Sequence, residues 1–199
     1  MLTLDLYCTF SDIHKNNNRF VSIVVYNIVS ILNGVSHMAR VVLVCGPTGV
    51  GKTTYSLSLA KEISAIRFSI DPWMQTLFSK DMTSLDFSWM MERVGRCYEQ
   101  IWQVAEQVLL IDGNVILDLG FTTKQQRDLF SKRAKSLCVD AEIHYLDAPK
   151  SVRKQRVEKR NIEKDPSVYA FEVTDIMFNF METKFEIPTE AELENGCKV

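Results

Sequence analysis

Eight consecutive residues concentrate the chemistry of this chain: Gly46-Pro47-Thr48-Gly49-Val50-Gly51-Lys52-Thr53. They fit G-x-x-x-x-G-K-[ST], a phosphate-binding loop, at every fixed position. Glycines let the backbone turn tightly, so that several N–H groups aim at phosphate oxygens. The positive end of a following helix adds to that field, which extends the expected binding stretch from Gly46 to Thr54. A lysine at position 52 can reach β- and γ-phosphates, and the Thr53 hydroxyl suits Mg²⁺. The plain alternative is a glycine-rich turn between a strand and a helix, with no ligand. The flanks favour the phosphate site, so binding of a nucleoside triphosphate is the direct expectation.

Two further carboxylates stand where such a site would need them. Ile66-Arg67-Phe68-Ser69-Ile70 reads as a short strand running into Asp71-Pro72. The proline disfavours helix at Asp71 and marks a turn, so Asp71 falls at the carboxyl end of a strand, where open α/β sheets bind ligands. There it could take a proton from an acceptor hydroxyl, or it could cap the helix of Trp73 to Phe78. Val115-Ile116-Leu117-Asp118 is an apolar strand ending in an acid. Asp118 could hold Mg²⁺ through water, or cap a loop.

The elements that position these groups follow from periodicity. Arg40 to Cys45 is a β-branched run, as a buried parallel strand should be, and Thr53 to Ile63 takes helical spacing. Met91, Val94, Tyr98, Ile101, Ala105 and Val108 recur at three- and four-residue steps, which predicts a long helix. Trp89, Met90 and Trp102 add bulk that either lines an acceptor pocket or, more commonly, joins the core. Thr122 and Gln125 match a capping box. Ala141 to Leu146 reads as another strand, with His144 lacking an evident acidic partner and therefore structural. Pro149 suits the first turn of a charged helix in which Arg153, Arg156, Arg160 and Lys164 fall on one face. That face either covers a triphosphate or is solvated, the commoner outcome for such spacing. A closing helix is expected at about Thr174 to Thr183, then an extended acidic end.

Bulk properties narrow the classes. The 199 residues are 46% hydrophobic, enough for one domain with a real core. A net charge of −2 gives no global basic field for nucleic acid. The five cysteines are scattered, without metal-binding spacing, as reduced thiols in a cytoplasmic protein would be. Residues 1–37 do not resemble the rest. Basic Lys15 to Arg19 precedes an apolar stretch, Phe20 to Leu32, which is short for a membrane span. It fits a signal or anchor, an amphipathic segment packed on the domain, or a start site set too early, with translation beginning at Met38; the last is the preferred reading. The domain expected is 38–199.

The phosphate loop, Asp71 after the second strand, the strand ending in Asp118, and the arginine helix after Leu146-Asp147-Ala148-Pro149 together resemble one family. It is the set of small P-loop kinases that includes the 5′-kinase domain of polynucleotide kinases, zeta toxins and chloramphenicol phosphotransferase. The resemblance spans about Met38 to Ile187, and the phosphate loop is its specific part. It implies an α/β P-loop nucleoside triphosphate hydrolase fold, a parallel sheet with helices on both faces, using ATP and Mg²⁺. It implies that Lys52 and Thr53 serve phosphate and Mg²⁺, that Asp71 activates the acceptor hydroxyl, and that Arg156 and Arg160 act on the transferring phosphate. Pro72-Trp73 departs from the more polar residues of polynucleotide kinases, and no broad basic groove is evident. Both favour a small-molecule hydroxyl over a nucleic-acid end. The rival expectation is a nucleotide-binding switch that hydrolyses ATP slowly. A GTPase would want N-K-x-D, and a motor would want an Asp-Glu pair where Asp118-Leu119 stands.

Overall fold

Among the described residues, five short strands pair into one sheet: β1 (Val41–Cys45), β2 (Ala65–Ser69), β3 (Asn114–Asp118), β4 (Ala141–Tyr145) and β5 (Cys197–Lys198). The order is β2-β3-β1-β4-β5, and every pairing is parallel. Among the described residues, six helices connect or flank them: α1 (Lys52–Glu62), α2 (Ile70–Phe78), α3 (Phe87–Leu109), α4 (Lys124–Lys135), α5 (Lys150–Glu163) and α6 (Asp175–Lys184). This computed structural model describes residues 39–81, 87–165, 169 and 171–199. The expectations for the N-terminal extension lie outside those residues.

Parallel strands need both faces covered, because their crossovers lay helices on each side. Strand alternation divides the core accordingly. Val41, Leu43, Cys45, Val115, Leu117 and Ile143 face α3 and α4, meeting Ile101, Trp102, Ala105 and Phe130. Val42, Val44 and Ile116 face α1, meeting Leu59. The crossovers bring every strand to the same end of the sheet, so the loops after β1, β2 and β3 share one rim.

Several boundaries differ from the sequence expectation, each for a physical reason. Helix α2 begins at Ile70, with Ser69 at the N-cap position but making no side-chain cap bond, so Asp71 and Pro72 lie in its first turn rather than in a turn before it. A first-turn proline forfeits only an N–H that has no intrahelical partner. The capping box of α4 belongs to Thr123 and Gln126, not to Thr122 and Gln125. On α3 the expected face is inward at Ile101 and Ala105, with Tyr98 and Val108 packed on the core, but it is joined by buried Cys97 and Trp102, and Met91 is exposed. Pro149 is the residue before α5, not within it. The C-terminal segment is not simply extended. It forms a 3-10 turn at Glu190–Leu193 and returns as β5.

That return fastens the tail to the domain. Arg127 is fully buried, and its Nε donates to Glu192 Oε1 at 2.7 Å while Nη1 donates to the Glu186 carbonyl at 2.9 Å. Glu192 also closes a capping box with Thr189. His144 does have an acidic partner, two residues back on its own strand face: Nε2 lies 3.4 Å from Glu142 Oε2. Its Nδ1 is 2.7 Å from the Tyr55 hydroxyl, and Glu142 pairs with Arg40. Burial holds His144 below the ordinary histidine value, opposed by Glu142, so it is a neutral link between β4 and α1.

Candidate active site

The phosphate loop leaves β1 at Cys45 and enters α1 at Lys52. Its backbone is pressed between two neighbours. A Cβ at Gly49, where φ is +79°, would meet the Arg153 carbonyl at 2.5 Å and Val157 Cγ2 at 2.8 Å. A Cβ at Gly46 would meet the Leu146 carbonyl at 2.5 Å. Glycine is required by both conformation and space. Between them Val50 is buried against the α1-side core, which anchors the loop. Thr48 and Gly51 complete the turn, and Thr53 and Thr54 lie in the first turn of α1.

Lys52 is bent back over the loop. Its Nζ donates to the Gly46 carbonyl at 2.8 Å and the Pro47 carbonyl at 3.0 Å. Burial lowers its pKa, while the charges of Asp118 and Asp71 oppose that shift. The ammonium therefore stands near both carboxylates.

The arginines of α5 separate. Arg153 does not share an open face with the others; it is buried and fully engaged. Its guanidinium pairs with Glu182 of α6 through two bonds of 2.5 and 2.7 Å, and donates to the carbonyls of Ala148 at 2.9 Å and Thr48 at 3.1 Å. It thus ties α6 to the phosphate loop. Arg156 is exposed and donates from Nη1 to the Val50 carbonyl at 3.0 Å, at the rim of the loop. Arg160 is half-buried, and its Nε is sequestered without a hydrogen bond. Its charge acts on Asp71. Lys164 is exposed at the left-handed C-terminal cap of the helix.

Asp71 is an exposed residue whose carboxyl group nevertheless has protein crowded around it. Burial raises its pKa first, and Asp118 raises it further; Lys52, Arg160 and Arg67 pull it back down. Asp71 also acts on Tyr98, whose pKa is raised mainly by burial and whose hydroxyl donates to the Leu119 carbonyl at 2.5 Å. Asp71, Lys52, Arg160, Asp118 and Tyr98 therefore share one electrostatic neighbourhood, at the rim where the strand ends meet. Gly120, beside Leu119, opens on free space, with nothing within 4 Å of a Cβ there. Trp73 and Trp102 pack on the core, and the Trp89 ring lies 3.7 Å beneath the Arg93 guanidinium.

Asp118 ends β3 and is buried. Its Oδ2 accepts from Arg67 Nη2 at 2.6 Å and lies 3.1 Å from the Ser56 hydroxyl. Arg67 Nε donates to that same hydroxyl at 2.7 Å, and the hydroxyl is 3.1 Å from the Thr53 carbonyl. So the acid is linked to α1 through Ser56, whose hydroxyl also contacts the Thr53 carbonyl. No cluster of three or more His, Cys, Asp or Glu side chains that could hold a metal occurs among the described residues. A hydroxyl and one carboxylate are still a fitting donor set for Mg²⁺, which takes few protein oxygens and completes its shell with water and substrate phosphates.

Sequence reasoning passed over Arg67, Ser56 and Glu182. Arg67 carried a readable signal: alternation in Ala65–Ser69 puts it on the same face as Asp118 across the β2–β3 register, in which Ser69 lies opposite Asp118. Nothing local marks Glu182, which sits 29 residues from Arg153.

Comparison with known proteins bears on the family and the fold. A family model described as an AAA domain matches residues 41–188. A search of curated proteins finds no match. Among solved structures, a protein assigned as a kinase from Chloroflexus aurantiacus is 15% identical, with a TM-score of 0.64 over 81% of this chain and 85% of that one. Kti12 of Chaetomium thermophilum, solved with ADP-AlF3, is 16% identical, with a TM-score of 0.61 over 80% and 88%. The APS kinase CysC of Mycobacterium tuberculosis, solved with AMPPNP and APS, is 15% identical, with a TM-score of 0.53 over 81% and 88%. These likenesses establish the P-loop fold. Among the described residues, no helix is long and apolar enough to cross a membrane.

Proposed function

The chain belongs to the AAA domain family, and from that premise we propose that it transfers the γ-phosphoryl group of ATP to the hydroxyl of a small molecule or nucleotide. What supports this reading is the proximity of Asp71 to Lys52 and Arg160, whose charges both stabilise the Asp71 carboxylate. A carboxylate kept beside two phosphate-directed cations suits a general base facing an electrophilic phosphorus.

In the proposed reaction the backbone of Gly46 to Thr54 cradles the phosphates. Lys52 leaves the Gly46 and Pro47 carbonyls to meet the β- and γ-phosphates, exchanging two neutral acceptors for charged ones. Asp71 accepts the acceptor's hydroxyl proton as that oxygen bonds to the γ-phosphorus and the bond to the ADP oxygen breaks. Arg156 and Arg160 approach the equatorial oxygens and spread their charge. Mg²⁺, when bound, would supply charge neutralisation between the phosphates, with Thr53 and Asp118 as the residues that would hold it. Because transfer needs ATP, the proposal includes a cytoplasmic location.

The test is a γ-labelled ATP assay on the full chain against pooled nucleosides, aminosugars, other small alcohols and 5′-hydroxyl oligonucleotides, with Lys52→Ala beside it. Label entering one pool, and absent in the variant, is the expected result. Label released only as phosphate, whatever the pool, would replace this reading with a nucleotide-binding switch.

A further inference from the structure

Resting on the nucleotide-binding reading above, we infer that Arg67 is a positioning residue for the metal: by holding one oxygen of Asp118, it makes the divalent cation enter with the nucleotide rather than ahead of it. The placement is built, not incidental. Arg67 comes from β2, Asp118 from β3 and Ser56 from α1, and the three close a buried polar cluster. Side-chain exposures are 15% for Arg67 and 6% for Asp118, so water screens the pair little.

Among the described residues, both hydrogen bonds to the carboxylate fall on Oδ2, and they come from different elements, which fixes its rotation as well as its charge. Oδ1 is then the oxygen left for a cation or its water. The guanidinium beside it cancels much of the negative charge that would otherwise draw a free dication. Bound phosphates restore that charge on the other side of the site. A buried ion pair is a weak source of stability in itself, so its function here is orientation and charge balance rather than strength.

The experiment is Mn²⁺ binding followed by electron paramagnetic resonance, on the full chain, with and without ADP. For the wild type the free protein should bind Mn²⁺ weakly, and ADP should create a site at least roughly tenfold tighter. In Arg67→Gln, Mn²⁺ binding to the free protein should tighten roughly tenfold, whereas Arg67→Lys, which keeps the charge, should match the wild type. A merely structural arginine would change the melting temperature and leave the free-protein Mn²⁺ affinity alone. Folded Arg67→Gln with wild-type Mn²⁺ affinity would overturn the inference. So would a wild type that binds Mn²⁺ as tightly without ADP as with it, a comparison that stands even where the glutamine variant fails to fold. None of these readouts needs an acceptor, so a protein that moves no label to any pool still decides the role of Arg67.

Discussion

Helix α5 carries the same residue type at two places with opposite fates. Arg153, in its first turns, is buried, bound to Glu182 and to two loop carbonyls, and stacked near Phe178. Arg156 and Arg160, one and two turns on, make no ion pair among the described residues. The difference lies in what faces them, not in the helix. Arg153 meets a carboxylate from α6 as well as the loop carbonyl of Thr48, whereas Arg156 meets the Val50 carbonyl and the charge of Arg160 acts on Asp71. An arginine paired with a carboxylate of its own protein has little left for a ligand, whereas Arg156 and Arg160 keep a charge that no ion pair among the described residues offsets. The first half of α5 is therefore a fastening, and in the proposed reaction the second half is equipment.

The largest effect should come from the equipment. Arg160→Ala is expected to slow transfer about a thousandfold, the scale associated with an arginine on the transferring phosphate, while shifting stability by less than about 0.5 kcal/mol. Comparable loss of melting temperature and of rate would erase the distinction. The fastening should behave the other way. Arg153→Ala removes one partner of a buried pair, and should cost about 3 kcal/mol in denaturant unfolding. Rate per folded molecule should fall far less than in Arg160→Ala, and the reverse order would move Arg153 into the site.

Gly49 sharpens the contrast, because it is where the fastened half of α5 touches the loop. Gly49→Ala pushes a methyl against the Arg153 carbonyl and imposes a φ that alanine resists. A loss of about 2–3 kcal/mol is expected, measured by urea titration, with nucleotide affinity lost alongside.

The smallest effect is a pH signature at Asp71. Its pKa is raised in the folded chain, mainly by burial. The folded state then holds the proton more tightly than the unfolded state, so stability falls as pH rises from the ordinary carboxylate range through the raised value. Asp71→Asn should therefore melt slightly higher than the wild type at pH 7, by a margin that vanishes below about pH 3. The same variant should lose transfer. An asparagine variant less stable than the wild type at neutral pH would contradict the electrostatic account of this residue.

The phosphate loop was legible because it is written in local backbone terms: glycines where φ and space demand them, and a lysine and threonine at fixed offsets. The strands were legible for a similar reason, since buried parallel strands are short unbroken apolar runs. What escaped depends on partners distant in the chain. Thr122-Thr123-Lys124-Gln125-Gln126 offers a capping box in two overlapping registers, and only the fold selects the second. Strand β5 is two residues long, too short for any periodicity, and forms because the tail bonds to Tyr145 and Asp147. The pairing of Glu142 with His144 was present in the alternation of β4 but needed Arg40 and Tyr55 to give it meaning. Arginines are the hardest case. Arg67, Arg127, Arg153 and Arg160 look alike in sequence, and each is defined by the carboxylate it does or does not meet.

The most direct test of the divided helix is the single-turnover rate of label transfer by Arg160→Ala at saturating ATP. The account predicts a rate about a thousandfold below the wild type, with ATP affinity within about threefold. A wild-type rate, or a loss that lies wholly in ATP binding, would contradict it.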